Sequence, residues 1–238
     1  MGVSLIDEIE VSKSGDNRFI HGLGDYLLRR RNETAARDRG GYISPSQVGG
    51  CPQWALNQLR KRPQDNTKDP WSIPFLESAT RLHEQFQVYG LGAGLLDPES
   101  IEEWVEYKPF KIGGSIDGCF IGDDAPLFEI KTLSTHLFSK VCATNEVLDK
   151  HKLQNHCYML AKGRRQTVFL YISRDDPSNL KEILYEWDDK IYQQLTDWIQ
   201  PILAAYKKRR EFKELFYPDK CVGCTFYDYD LKKFGKGV

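Results

Sequence analysis

An α/β (α+β) fold, with a mixed central sheet flanked by helices, is predicted from three observations. The apolar period switches along the chain in the order helix, strands, helix, strand, helix. At 238 residues, 40% hydrophobic and 28% charged, the chain is long and apolar enough to bury a real core. No apolar run approaches the roughly 20 residues needed to span a bilayer. An N-terminal helical region (1–71), a core (72–187) and a C-terminal helix with a cysteine-bearing tail (188–238) are expected to form one compact domain.

The elements follow in order. Tyr26, Leu27 and Leu28 precede Arg29, Arg30 and Arg31, which reads as a helix with a solvated basic end. YISPSQVGGCP (42–52) is turn chemistry leading into the helix PQWALNQLRKR (52–62), and a polar loop follows from Pro63 to Pro70. From Ile73 to Tyr89 the spacing is helical, with Phe75, Leu76, Ala79, Leu82, Phe86 and Tyr89 on one stripe and His83 beside it. Strand-like alternation runs from Glu102 to Ile121, and Leu127 to Thr132 gives a second β run across the turn GDDAP (122–126). Residues 146–162 read as helix, QTVFLYI (166–172) as strand, and Asp188 to Arg210 as a long amphipathic helix that Pro201 interrupts.

The chemistry gathers in GGSIDGCFIGDDAPLFEIKT (113–132). Folding this hairpin about residue 124 sets Asp117 opposite Lys131 on antiparallel strands. Side chains alternate along a strand, so Glu129 and Lys131 share a face, and Asp117 points to it. Two carboxylates can hold hard divalent cations through oxygen, with the Ile130 carbonyl as a further ligand. A lysine beside them can orient water and offset transition-state charge, which is what phosphodiester hydrolysis requires. Taken alone, this triad also fits an ordinary exposed hairpin; its neighbours decide.

Four pieces in order resemble the RecB-like branch of the PD-(D/E)XK nuclease superfamily. ATRLHEQFQ (79–87) is similar to the helix carrying a metal-binding histidine, here His83, although Thr80 stands where a glycine is common. GGSIDG resembles the motif of the first acidic ligand, Asp117; FEIKT resembles the E-x-K motif, Glu129 and Lys131; KLQNHCYMLA (152–161) resembles the Q-x-x-x-Y motif, Gln154 and Tyr158. The resemblance implies a restriction-endonuclease-like core and Mg2+ or Mn2+ at His83, Asp117, Glu129 and Ile130. Gln154 and Tyr158, four apart on one helix face, can hold a DNA phosphate or orient Lys131. His151 and His156 are weaker candidates.

The family often closes its fold with an iron–sulfur cluster. Cys51 fits the first cysteine position, and Cys221 and Cys224 the next two, but no thiol follows before Val238. A 4Fe-4S cluster completed by Asp230 or a distant cysteine, a zinc ion, and no metal all stay open. The remaining cysteines are expected to be buried. For DNA contact, Arg60 to Arg62, Arg29 to Arg31 and Lys207 to Arg210 suit phosphates, and Trp54 and Tyr42 suit base stacking.

A metal-dependent DNA exonuclease is therefore expected, acting in recombination or repair, phage DNA metabolism or spacer acquisition. The resemblance adds recombination, replication or CRISPR adaptation proteins as partners. A structure-specific endonuclease and a catalytically silent DNA-binding module are the rivals. MGVSLIDEIE lacks a basic n-region before an apolar stretch, so a cytoplasmic protein is expected, in host cytoplasm if viral.

Overall fold

The computed structural model describes residues 22–24, 26–27, 41–62, 72–212 and 226–234. Arg29 to Arg31, the loop after Arg62, Cys221 and Cys224 lie outside the described residues.

A four-stranded mixed sheet carries the fold, in the order β3 (Gly118–Cys119), β4 (Leu127–Leu133), β5 (Gln166–Ser173), β6 (Leu180–Glu186). β4 runs parallel to β5, while β3 and β6 run antiparallel to their neighbours. β4 and β5 are apolar on both faces because helices or loops cover both sides of this centre. Leu127 and Leu133 pack on one face of β4, and Phe128 and Ile130 join Leu96 and Ile172 on the other. A smaller antiparallel sheet pairs β1 (Trp104–Tyr107) with β2 (Ile112–Ser115).

The expected continuous alternation from Glu102 to Ile121 is thus broken into three short strands. Pro109 has no N–H for a ladder, so Lys108–Phe110 forms a 3-10 turn closed by Lys111 in the left-handed region (φ 51°). Two further elements were not expected. The link from β4 to β5 contains two helices, α3 (Thr135–Thr144) and α4 (Asp149–Lys162), rather than one. α3 buries only Val141 fully, so it offered almost no apolar stripe to read, and Cys142 on it is exposed rather than buried. β6 is an edge strand whose Lys181, Glu182 and Glu186 mask its period.

α2 (Ser72–Gly92) departs from its expected packing. Phe75, Leu76 and Tyr89 of the apolar stripe are exposed, and the fully buried residue of this helix is Gln87. The helix meets the sheet mainly at β4, so its packed face is narrow and partly polar. α5 (Asp189–Lys207), by contrast, buries Ile191, Leu195, Ile199, Ile202 and Ala205, a stripe of helical period, and runs on through Pro201. Each of the buried Ile and Leu side chains contributes about 1.5–3 kcal/mol by leaving water.

α5 packs on α1 (Pro52–Leu59), and the C-terminal α6 (Tyr227–Phe234) joins α1 through polar contacts. Asn57 donates to both oxygens of the buried Asp230, at 3.0 and 3.2 Å, and the Phe226 ring meets Trp54 at 5.8 Å. Asn57→Ala leaves that carboxylate without its main donor. We expect a loss of about 1–3 kcal/mol, read as an earlier urea midpoint; an unchanged midpoint removes this joint from the account. Among the described residues no helix is long and apolar enough to cross a membrane.

Candidate active site

β3 is only two residues long, and its pairing sets Gly118 against Phe128 and Cys119 against Leu127. Continued by one step, this register brings Asp117 level with Glu129, not with Lys131 as expected. The reason lies in the loop, where Gly122 (φ 125°) and Asp124 (φ 56°) turn the chain about residue 123 instead of 124. A two-residue slip preserves which face each side chain takes, so the convergence survives it.

Just before β3 begins, Asp117 covers the edge of β4. Its Oδ2 accepts the Ile130 N–H at 2.6 Å. A strand residue aims its N–H and C=O to the same side, so the Ile130 carbonyl faces this edge too. α2 braces Asp117 from behind: His83 Nδ1 lies 3.6 Å from Oδ1, and the Gln87 amide donates to the Asp117 carbonyl at 2.9 Å. Gln87 also donates to Glu102 at 3.2 Å. It is a site residue that the sequence reading passed over. The signal available was its spacing, four residues after His83 and so on the same helix face.

Glu129 is 3% exposed. Its Oε1 accepts from Lys131 Nζ in a short ion pair and from Gln154 Nε2 at 3.0 Å. Gln154 stands on α4, and Tyr158, one turn on, is buried beside it. Residue 114 beside it is glycine, where a Cβ would lie 2.9 Å from Pro45 and 3.4 Å from the Tyr158 hydroxyl.

Burial sets the electrostatics. It pushes the Glu129 carboxyl up to about 7, with Lys131 pulling it down and Asp117 pushing it further up. Burial raises Asp117 as well, but His83, Lys131 and the Ile130 N–H outweigh it, and its carboxyl ends below the usual range. Lys131 is lowered by burial and raised more by Glu129 and Asp117, so the ammonium is retained. Burial, then the two carboxylates, drive the Tyr158 phenol well up.

His151 and His156 serve packing. His156 is fully buried between the Lys152 and Asp188 carbonyls at 2.9 and 3.0 Å. His151 stacks near Phe169 and Tyr171, bonds the Tyr171 hydroxyl at 3.0 Å, and is driven by burial to about 3. Trp54 and Tyr42 pack against Phe226 and Trp104. Cys51 caps α1 and is exposed; Asp230, considered as its co-ligand, is engaged by Asn57. Among the described residues no three His, Cys, Asp or Glu side chains form a ready metal cluster. The oxygen donors that converge are two carboxylates and a backbone carbonyl.

No protein-family model and no curated protein sequence matches the chain. Its fold is similar to that of an alkaline exonuclease (LHK-Exo) from Laribacter hongkongensis, at 14% identity and TM-score 0.50, over 79% of this chain and 93% of that one. The same enzyme in complex with dAMP gives 16% identity and TM-score 0.51, over 83% and 95%. The protein SSO0001 gives 14% identity and TM-score 0.52, over 88% and 94%. The chain has a mixed α/β fold of the kind seen in these structures.

Proposed function

We propose that this chain is a metal-dependent DNA exonuclease of the RecB-like PD-(D/E)XK type. The observation that carries the reading is Asp117 standing level with Glu129 at the β4 edge, with the Ile130 backbone between them and Lys131 on Glu129. The fold likeness to an alkaline exonuclease supports it.

The donors fit a hard divalent ion. Two buried carboxylates side by side repel each other, and Glu129 in particular, held at about 7, is only partly ionised near neutrality without further positive charge. Asp117, Glu129 and the Ile130 carbonyl would hold Mg2+ or Mn2+, with His83 at the rim of Asp117. A bound ion would supply polarisation of the scissile phosphodiester and activation of water. Lys131 keeps a fixed positive charge where negative charge grows on the phosphoryl oxygens. Gln154 fixes the Glu129 carboxylate, and Tyr158 backs Gln154 from the same helix face. Gln87 and His83 hold the Asp117 turn against α2.

For the cysteines, a cluster or zinc at Cys51, Cys221 and Cys224 is proposed as a clamp, supported by α6 and Phe226 docking beside α1. Colour, iron and zinc content of protein purified without oxygen test it.

The reading is tested with DNA labelled at either end, single- and double-stranded, against covalently closed circles, with Mn2+ or Mg2+. Mononucleotides released from linear DNA, with circles intact, are the expected result. Cut circles point to an endonuclease. No metal-dependent cleavage of any form leaves a binding module.

A further inference from the structure

Away from the carboxylates, two basic runs about 145 residues apart in sequence meet. The end of α1, the turn before β2, the end of α5 and α6 enclose an open basin of about 850 Å³. Among the described residues, seven of its lining side chains are Lys or Arg, and Glu211 is the one acidic residue with them. Glu211 is occupied by Arg60 at 2.6 Å and by Lys233, and Arg60 also bonds the carbonyls of Ala205 and Arg210. Arg60 is thus a bolt between α1 and α5. Arg62 also reaches Glu211, at 3.7 Å, so one carboxylate faces several cations and the basin keeps a net positive charge, to which Lys111, Lys207 and Arg209 contribute.

A second observation separates this basin from an ordinary charged surface. Lys61, Lys111 and Arg209 have φ of 52°, 51° and 54°. All three stand at or just past the end of a helix or 3-10 turn, where the left-handed conformation favours glycine. Glycine does serve at the equivalent place after α4, at Gly163 (φ 66°). Three times in one basin the chain keeps a long cation there instead. The helix dipole favours cations near a C-terminus, but it asks for neither the left-handed position nor the convergence of three elements. A non-glycine residue in this region costs backbone strain, which singles these three side chains out for a test of function.

We propose that this basin is a second phosphate-binding station, holding the backbone of the nucleic acid strand whose scissile bond lies at Asp117 and Glu129. The inference rests on the nuclease reading for the identity of the strand. β2 links the two places: Lys111 precedes it and Asp117 follows it. Six residues of extended chain span at most ~20 Å, or about six phosphates at 3.4 Å per step along a duplex strand. The station therefore grips DNA several nucleotides from the cut, by phosphate oxyanions and without reading bases.

The test compares the full-length protein with Lys207→Glu/Arg209→Glu, both exposed positions, and with Lys207→Gln/Arg209→Gln as the milder pair. Binding of a fluorescent 20-nucleotide single strand is followed by anisotropy across salt, in EDTA, and bis(p-nitrophenyl) phosphate hydrolysis is measured with Mn2+. The Glu pair is expected to bind at least tenfold more weakly, with a salt slope reduced by about 1.4 at 0.7 per lost contact. The Gln pair should show the same slope change and a smaller affinity loss, with small-ester hydrolysis unchanged in both. Wild-type affinity and slope in the Gln pair overturn the proposal. So does inorganic pyrophosphate binding as tightly as the oligonucleotide, which makes the basin a free-anion site. Absence of ester hydrolysis in wild type, with the binding differences intact, removes the nuclease reading alone.

Discussion

Lys131→Ala is expected to lose about 10²–10³-fold in the rate of DNA cleavage while still binding Mn2+. The ammonium sits against Glu129 and opposes an incoming cation there rather than ligating it; its use is to supply charge to the reacting phosphate. Removing it leaves Asp117 and Glu129 less compensated, so the demand for a cation rises instead of falling. Glu129→Ala is the contrast, since it removes a ligand and loses both cleavage and ion binding. Calorimetric Mn2+ titration beside single-turnover cleavage separates the two. A Lys131→Ala protein that cleaves at the wild-type rate, or that no longer binds Mn2+, sinks this division of roles.

Ion affinity should also depend steeply on pH. Glu129 is held by burial at about 7 in the metal-free protein, so below that value a proton must leave before the carboxylate can serve as ligand. The apparent Mn2+ dissociation constant is expected to approach a tenfold rise per pH unit well below 7, hence about 50-fold between pH 7 and 5. Binding should release close to one proton at pH 6 and almost none at pH 8.5, measured by calorimetry in buffers of different ionisation heat. The metal-free fold responds with the opposite sense. Its raised carboxyl contributes stability that is present below the ordinary glutamate value and is lost as pH rises through about 7. A dissociation constant that stays level from pH 6 to 8 removes Glu129 from the ligand set.

How much of this was legible beforehand differs from element to element. The helix at 52–59, the strands around Glu129 and at 166–173, and α5 follow from apolar period, because each packs a broad face against the core. β6 and α3 were missed because they pack little surface, so charge and small residues fill positions that no neighbour constrains. The stripe on α2 was only half used, with Phe86 on the core and Phe75, Leu76 and Tyr89 exposed, for a related reason. An apolar row states which face could be buried, but the partner surface decides, and here a glutamine and a histidine meet the Asp117 turn instead.

By itself the sequence determined the short-range part of the site. Glu129, Ile130 and Lys131 are consecutive on one strand, Gln154 and Tyr158 are one helical turn apart, and strand and helix periods alone fix their mutual faces. Only the tertiary structure decided what depends on distant packing. The loop geometry set Asp117 against Glu129, α2 supplied Gln87, burial moved the Glu129 carboxyl to about 7, and four separate elements drew the basic runs into one basin. The physical reason is that periodicity is a local property of the backbone, whereas register, desolvation and the convergence of charge arise from contacts between segments far apart in the chain.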